Sequence, residues 1–174
     1  SAQRHFDTLR TTGWNRYPWG SGVFLWFDHL LPGFPLEAVI SLREGFTDLW
    51  EAPEWLRRQI GLKYVFGKME GQLPSNSFKD RGLAVATSDV LRLQMWYPHL
   101  GIRRTGCAST GDTSAAAAKY AAPMRNQLTC TVFLPAGNVS NEQLAQLKAF
   151  KAEGILVDHP QGFNGCMGLM EEYC

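Results

Sequence analysis

The chain has almost no net charge, no long apolar run and very little cysteine or histidine chemistry. Its 174 residues carry 17 Lys and Arg against 16 Asp and Glu, a formal net charge of +1. So even a balance supplies no field to draw in nucleic acid or an acidic membrane surface, and the Arg103-Arg104 pair is too small to form a basic patch. No uninterrupted apolar stretch is long enough to span a bilayer, and Ser1-Ala2-Gln3-Arg4-His5 does not begin like a secretory signal. Cys107, Cys130, Cys166 and Cys174 have neither close pairing nor metal-ligand spacing, so they read as reduced thiols of a cytoplasmic protein. His5, His29, His99 and His159 are widely separated and suggest no metal site. Repeats and low-complexity tracts are missing. What remains, 45% hydrophobic and 19% charged residues, is the composition of a globular protein of one or two domains.

Against this plain background one hexapeptide stands out, Ser77-Phe78-Lys79-Asp80-Arg81-Gly82. It opens a helical pattern with a lysine in the first turn, where the helix dipole disfavours a cation by roughly 0.3–1 kcal/mol. Asn76 or Ser77 can cap the helix, and Asp80 suits its first turn. Lys79 alone breaks the local rules, and residues that do so are often functional. The same positive field favours the uncharged amine that a nucleophile or Schiff-base partner needs. On this segment alone, a surface lysine extending to water is the competing reading.

A second segment shifts the balance. Gly106-Cys107-Ala108-Ser109-Thr110-Gly111-Asp112-Thr113-Ser114 runs into Ala115-Ala116-Ala117-Ala118-Lys119-Tyr120-Ala121-Ala122. Small and hydroxyl residues around Gly111 allow backbone amides close to a ligand, and the start of a helix is a ready site for a phosphate or carboxylate. Taken alone, it is equally a small-residue turn with a good cap.

Together the two segments resemble the fold-type II enzymes that use pyridoxal phosphate, and within them the threonine synthases. The run from Lys68 to Gly82 is similar to the family pattern Glu-Gly-x-x-Pro-x-x-Ser-Phe-Lys-Asp-Arg-Gly. Cys107 to Ala116 resembles Cys-Ala-Ser-Thr-Gly-Asp-Thr-Ser-Ala-Ala. Weaker likenesses extend through Phe133-Leu134-Pro135-Ala136, Gln143-Leu144 and Cys166-Met167, and upstream through Gly22-Val23-Phe24, Leu30-Leu31-Pro32 and residues 40–47. Asp112 stands where most type II enzymes have Asn, which favours the threonine synthase branch. Three departures stand out. Arg43 replaces a usual Gly, Asp48-Leu49 replaces Pro-Leu after Thr47, and Leu73-Pro74-Ser75-Asn76 replaces Asn-Pro-Thr-Gly. The family also needs roughly twice this length or more, and no compact glycine cradle for the cofactor phosphate occurs between Gly137 and Cys174. The expectation is the N-terminal portion of a longer enzyme, with a truncated relative as the alternative.

The pattern along the chain agrees. Residues 1–50 read as an N-terminal arm in which Trp14, Tyr17, Trp19, Phe24, Trp26 and Phe27 pack onto the body. Residues 51–174 read as the N-terminal part of the cofactor-binding α/β region. Helices are predicted over 53–60, 82–97, 113–122 and 138–151, the last capped by Ser140, with a final helix running to the chain end. Strands are predicted over 62–66, 104–107, 128–134 and 154–158. Alternating strands and helices imply βαβ units and a parallel sheet, with ligands at the carboxyl ends of the strands, where both motifs fall.

The resemblance implies a tryptophan-synthase-β-like α/β fold and pyridoxal 5′-phosphate held as a Schiff base to Lys79. It implies conversion of O-phospho-L-homoserine and water to L-threonine and phosphate. Phe78 would brace the cofactor ring and Asp112 would contact its 3′-oxygen. Ser109, Thr110, Gly111 and Thr113 would hold the substrate carboxylate, and Ser77 would lie near a phosphate. A homodimer is the common family state, and the setting is the cytoplasm, or a plastid if the source is a plant. Other readings stay open: a cysteate synthase, a threonine dehydratase-like enzyme, or a truncated non-catalytic relative.

Overall fold

One strand is covered on both faces, and the rest of the sheet is organised around it. The computed structural model describes Arg4, Asp7 and residues 22–109 and 111–173. In chain order the strands are β1 (Leu49–Glu51), β2 (Phe66–Lys68), β3 (Arg104–Ala108), β4 (Thr129–Pro135) and β5 (Glu153–Val157). The helices are α1 (Phe27–Leu30), α2 (Glu54–Ile60), α3 (Lys79–Trp96), α4 (Asp112–Ala121), α5 (Asn141–Ala149) and α6 (Phe163–Tyr173). β4 is rich in β-branched and aromatic residues and is buried from Cys130 to Pro135, as a central parallel strand must be. It pairs in parallel with β3 on one side and β5 on the other, giving the order β3-β4-β5. α4 and α5 make the two crossovers.

Period-two alternation divides β4 between two cores. Cys130, Val132 and Leu134 pack with Ala117, Ala118 and Ala121 of α4 and Leu147 of α5. Phe133 points the other way, to Val157 and to Cys166 of α6, with Met170 beside them. The alanine run in α4 therefore serves close helix–sheet approach. Ser140 closes a reciprocal capping box with Gln143 at the start of α5, as its sequence position predicts.

A third core joins the segment before β1 to the two motif helices. Phe24, Phe27, Phe34, Ala38 and Val39 pack on Ala84 of α3 and Tyr120 of α4. Phe24 and Phe27 thus pack onto the body, while Trp26 is exposed; Trp14, Tyr17 and Trp19 lie outside the described residues. Ser88, fully buried in α3, donates to Ala84 O at 2.7 Å and accepts from Ile40 N at 2.8 Å, pinning the arm's end to the helix. The strand predicted over 62–66 begins only at Phe66. Its antiparallel partner β1 was not predicted and is three residues long, with Trp50 opposite Gly67. Ladder pairing with that short partner, rather than the apolar run itself, sets the strand's extent.

Among the described glycines, Gly45 meets neighbouring backbone most closely. Gly22 N donates to Glu44 O at 2.9 Å, and a Cβ on Gly45 would fall 2.3 Å from Gly22 Cα. Gly45 also holds φ at +125°, where L-residues are strained. Gly45→Ala is expected to cost about 2–4 kcal/mol, combining backbone strain with overpacking. Urea unfolding of the full-length protein checks this; an unchanged midpoint contradicts it.

Candidate active site

Lys79 is the first residue of α3, and the loop before it is held by side chains from four directions. Gln72 and Asp48 exchange hydrogen bonds at 2.8 Å, Asp48 N donating to Gln72 Oε1 and Gln72 Nε2 donating to Asp48 Oδ2. Asn76 Nδ2 donates to Gly71 O at 2.9 Å. The Lys119 ammonium of α4 donates to Pro74 O. Asp80, fully buried, accepts from Ser75 N at 2.6 Å and from the Ser75 hydroxyl.

The expected cap differs in detail. Phe78 occupies the N-cap position with a helical backbone and no side-chain cap bond. Ser77, buried, accepts from Lys79 N at 3.3 Å, so it satisfies one first-turn amide from one residue farther out. Asn76 caps nothing; it turns the chain at φ +63°. Phe78 is exposed, and the Lys79 ammonium sits 4.5 Å from its ring centroid, a cation–π contact.

Two departures from the family pattern acquire a physical meaning here. Asn76 stands at the usual Gly of Asn-Pro-Thr-Gly, and Arg43 at another usual Gly. Both occupy the left-handed region, at φ +63° and +65°. Asn tolerates that region best among non-glycine residues. Arg43 is exposed and its N–H reaches the Ser41 hydroxyl at 3.1 Å.

An ion pair missed by sequence reading ties this loop to the helix. Arg81 donates through Nε and Nη2 to Glu70, both at 2.9 Å, and Thr47 Oγ1 donates to the same carboxylate at 3.1 Å. The Lys68 ammonium donates to Thr47 O. Deeper in, fully buried Glu44 accepts from Tyr120 OH at 2.9 Å and from Leu42 N at 3.0 Å. Burial, then the Glu44 and Asp80 charges, pushes the Tyr120 phenol well above its ordinary range, so it stays a neutral donor.

The small-residue turn follows β3. Ser109 N continues the ladder to Phe133 O at 3.4 Å, and the buried Ser109 hydroxyl accepts from Gly111 N at 3.2 Å. Ser114 Oγ donates to Gly111 O at 2.5 Å. Gly111, the N-cap of α4, has no side chain with which to cap the first turn, and the start of a helix is where backbone amides can meet an anion. Asp112 is exposed, Thr113 half-buried, and Thr110 lies outside the described residues. α3 and α4 pack side by side, with Leu83 touching the cores on both sides. Among the described residues no hydrogen bond or ion pair joins Lys79 to Ser109, Gly111, Asp112 or Thr113. Cys107 and Cys130 lie nearby with thiols raised chiefly by burial, Cys130 to about 12, which makes them packing residues rather than nucleophiles.

A primary amine beside an exposed ring, on a helix packed against the start of another, suits an aldehyde-bearing anionic cofactor. Comparison with known proteins agrees. The family described as pyridoxal-phosphate dependent enzyme matches residues 40–174, and the chain belongs to it; pyridoxal phosphate is the cofactor that membership implies. Similar curated proteins include threonine synthase 2, chloroplastic, of Arabidopsis thaliana, 37% identical over 92% of this chain and 30% of that protein. The threonine synthase of Methanocaldococcus jannaschii is 38% identical over 78% of the chain and 31% of its own length. That of Mycobacterium leprae is 39% identical over 87% and 38%. The chain thus spans about a third of the length of these relatives. Among solved structures, diaminopropionate ammonia lyase from Escherichia coli aligns with a TM-score of 0.64 at 19% identity, over 79% of this chain and 37% of that one. A pyridoxal 5′-phosphate-dependent aspartate racemase aligns at 0.58 and 22%, over 73% and 37%. These likenesses establish the fold, that of the fold-type II enzymes.

The Glu70–Arg81 pair carries a pH signature. The Arg81 hydrogen bond holds the Glu70 carboxyl below its ordinary 4.5. A depressed carboxyl stabilises the fold above its unfolded value and loses that contribution as pH falls through the folded one. The stability gap between wild type and Glu70→Gln should therefore be constant above about pH 5 and shrink below 4.5. Denaturation midpoints across pH 3–7 check this; a gap independent of pH contradicts it.

Proposed function

We propose that the protein acts as a threonine synthase, converting O-phospho-L-homoserine and water into L-threonine and phosphate. The observation that carries this reading is Lys79 at the start of α3, with α4 and its glycine-capped N-terminus packed alongside. The similarity to threonine synthases from a plant, an archaeon and a bacterium supports it. In this reading residues 1–50 are an arm on the cofactor-binding region of 51–174, the enzyme works as a homodimer, and it resides in the cytoplasm or, in a plant, the plastid.

Pyridoxal phosphate, when bound, supplies the electron sink for the chemistry. Lys79 would hold the cofactor through Nζ, and its amine would take and return the substrate's carbon-bound protons. Phe78 braces the ring. Asp112 is assigned to the cofactor's 3′-oxygen, where its carboxylate sets the protonation. Ser109, Thr110, Gly111 and Thr113, with the amides of the α4 start, hold the substrate carboxylate. Ser77 lies toward a phosphate. Phosphate leaves the γ-carbon and takes up the proton of the water; one β-hydrogen is transferred as a proton to the γ-carbon, which becomes the methyl group, and the water hydroxyl adds at the β-carbon in its place.

The full-length protein should release one phosphate per threonine formed from O-phospho-L-homoserine. Asp112→Ala should still bind cofactor but turn over about tenfold or more slowly, the usual effect of losing a charge aimed at the reacting group. Threonine formed without phosphate release, or unchanged turnover in Asp112→Ala, contradicts the assignment.

A further inference from the structure

Asp80 has no solvent exposure, an unusual place for a carboxylate. An aspartate that merely complements the helix dipole does so from the surface, where water still solvates it. Its two hydrogen bonds go to one residue, Ser75, through N at 2.6 Å and through the hydroxyl. They close a ring of backbone, 75–80, that contains Lys79. Inside the ring Asn76 is held left-handed at φ +63° while its side chain is tied to Gly71 O. Ser77 Oγ holds Lys79 N. The side chains of Ser75, Asn76, Ser77 and Asp80 are all turned to the loop itself, and among the described residues the Lys79 amine has no hydrogen-bond partner and lies over the Phe78 ring. The backbone of the lysine is fixed while its amine makes no hydrogen bond to the loop.

We propose that Asp80 is a positioning residue for Lys79, acting through Ser75. The carboxylate sets the direction in which the Lys79 side chain leaves the helix, and so where its amine meets the cofactor's aldehyde. A neutral amide at this position keeps a single acceptor oxygen for the two Ser75 donors and loses the charge that strengthens both bonds, so the ring loosens. This rests on the reading of Lys79 as the lysine that carries pyridoxal phosphate.

The test uses the full-length protein with Asp80→Asn, Ser75→Ala and the double variant. Two readouts are needed: the dissociation constant for pyridoxal phosphate, and amide exchange across residues 75–79 of the cofactor-free protein. Asp80→Asn should weaken cofactor binding by about tenfold or more and speed that local exchange by a similar factor, the scale of losing one charge-assisted hydrogen bond. Ser75→Ala should do part of the same, and the double variant no more than Asp80→Asn, since both act through one contact. If Asp80→Asn does not fold, Ser75→Ala carries the test, because it removes only a hydroxyl. A lowered melting temperature with unchanged cofactor affinity and unchanged exchange at 75–79 overturns the proposal, as do additive effects in the double variant. Lys79→Ala separates the two claims. If that variant still forms a borohydride-reducible adduct, the reading of Lys79 fails. If it does not, and Asp80→Asn binds cofactor normally, only the role of Asp80 fails.

Discussion

The hydrogen bond from Tyr120 to Glu44, 2.9 Å long and shut away from water, is the joint on which the described structure turns. Glu44 belongs to the segment before β1, Tyr120 to the helix following the small-residue turn. Asp80, the neighbour of Lys79 in α3, is buried close enough for its charge to act on the same phenol. Three stretches far apart in the chain therefore meet around two fully buried carboxylates. Buried charge is tolerated only where donors are held in place, so each stretch constrains the others. Gly45 and Gly22, backbone against backbone, fix Glu44 from the outside; Ser88 fixes the preceding residues to α3. The polar network does for the arm and the lysine loop what Cys130, Val132 and Leu134 do for the sheet.

Much of the framework was legible in the sequence because it depends on short-range patterning. The β-branched run at 129–134, the Ser140 capping box and the alanines of α4 announce themselves through period and local chemistry. The pairing of β1 with β2 was not legible, since each strand has three residues and becomes a strand only by meeting the other. The Arg81–Glu70 pair and the Tyr120–Glu44 bond escaped for a related reason. They span 11 and 76 positions, and nothing in spacing foretells them. Asp80 was read as an acid at a helix start; its burial and its hold on Ser75 belong to tertiary structure.

The departures from the family pattern are instructive. A glycine replaced by another residue usually signals a changed backbone. Here Arg43 and Asn76 keep the left-handed conformation that glycine serves, and the Ser41 hydroxyl and Gly71 carbonyl give them partners. The turn that leads into Lys79 thus takes its left-handed residue without glycine.

Membership in the pyridoxal-phosphate-dependent family and a fold shared with its type II members define a setting in which one amine matters most. The chain spans about a third of its curated relatives, so the decisive experiment belongs to the full-length protein. Borohydride reduction in the presence of pyridoxal phosphate, followed by peptide mapping, tests the central claim most directly. A single reduced adduct on Lys79 is the predicted result. An adduct on another lysine, or none, would contradict it.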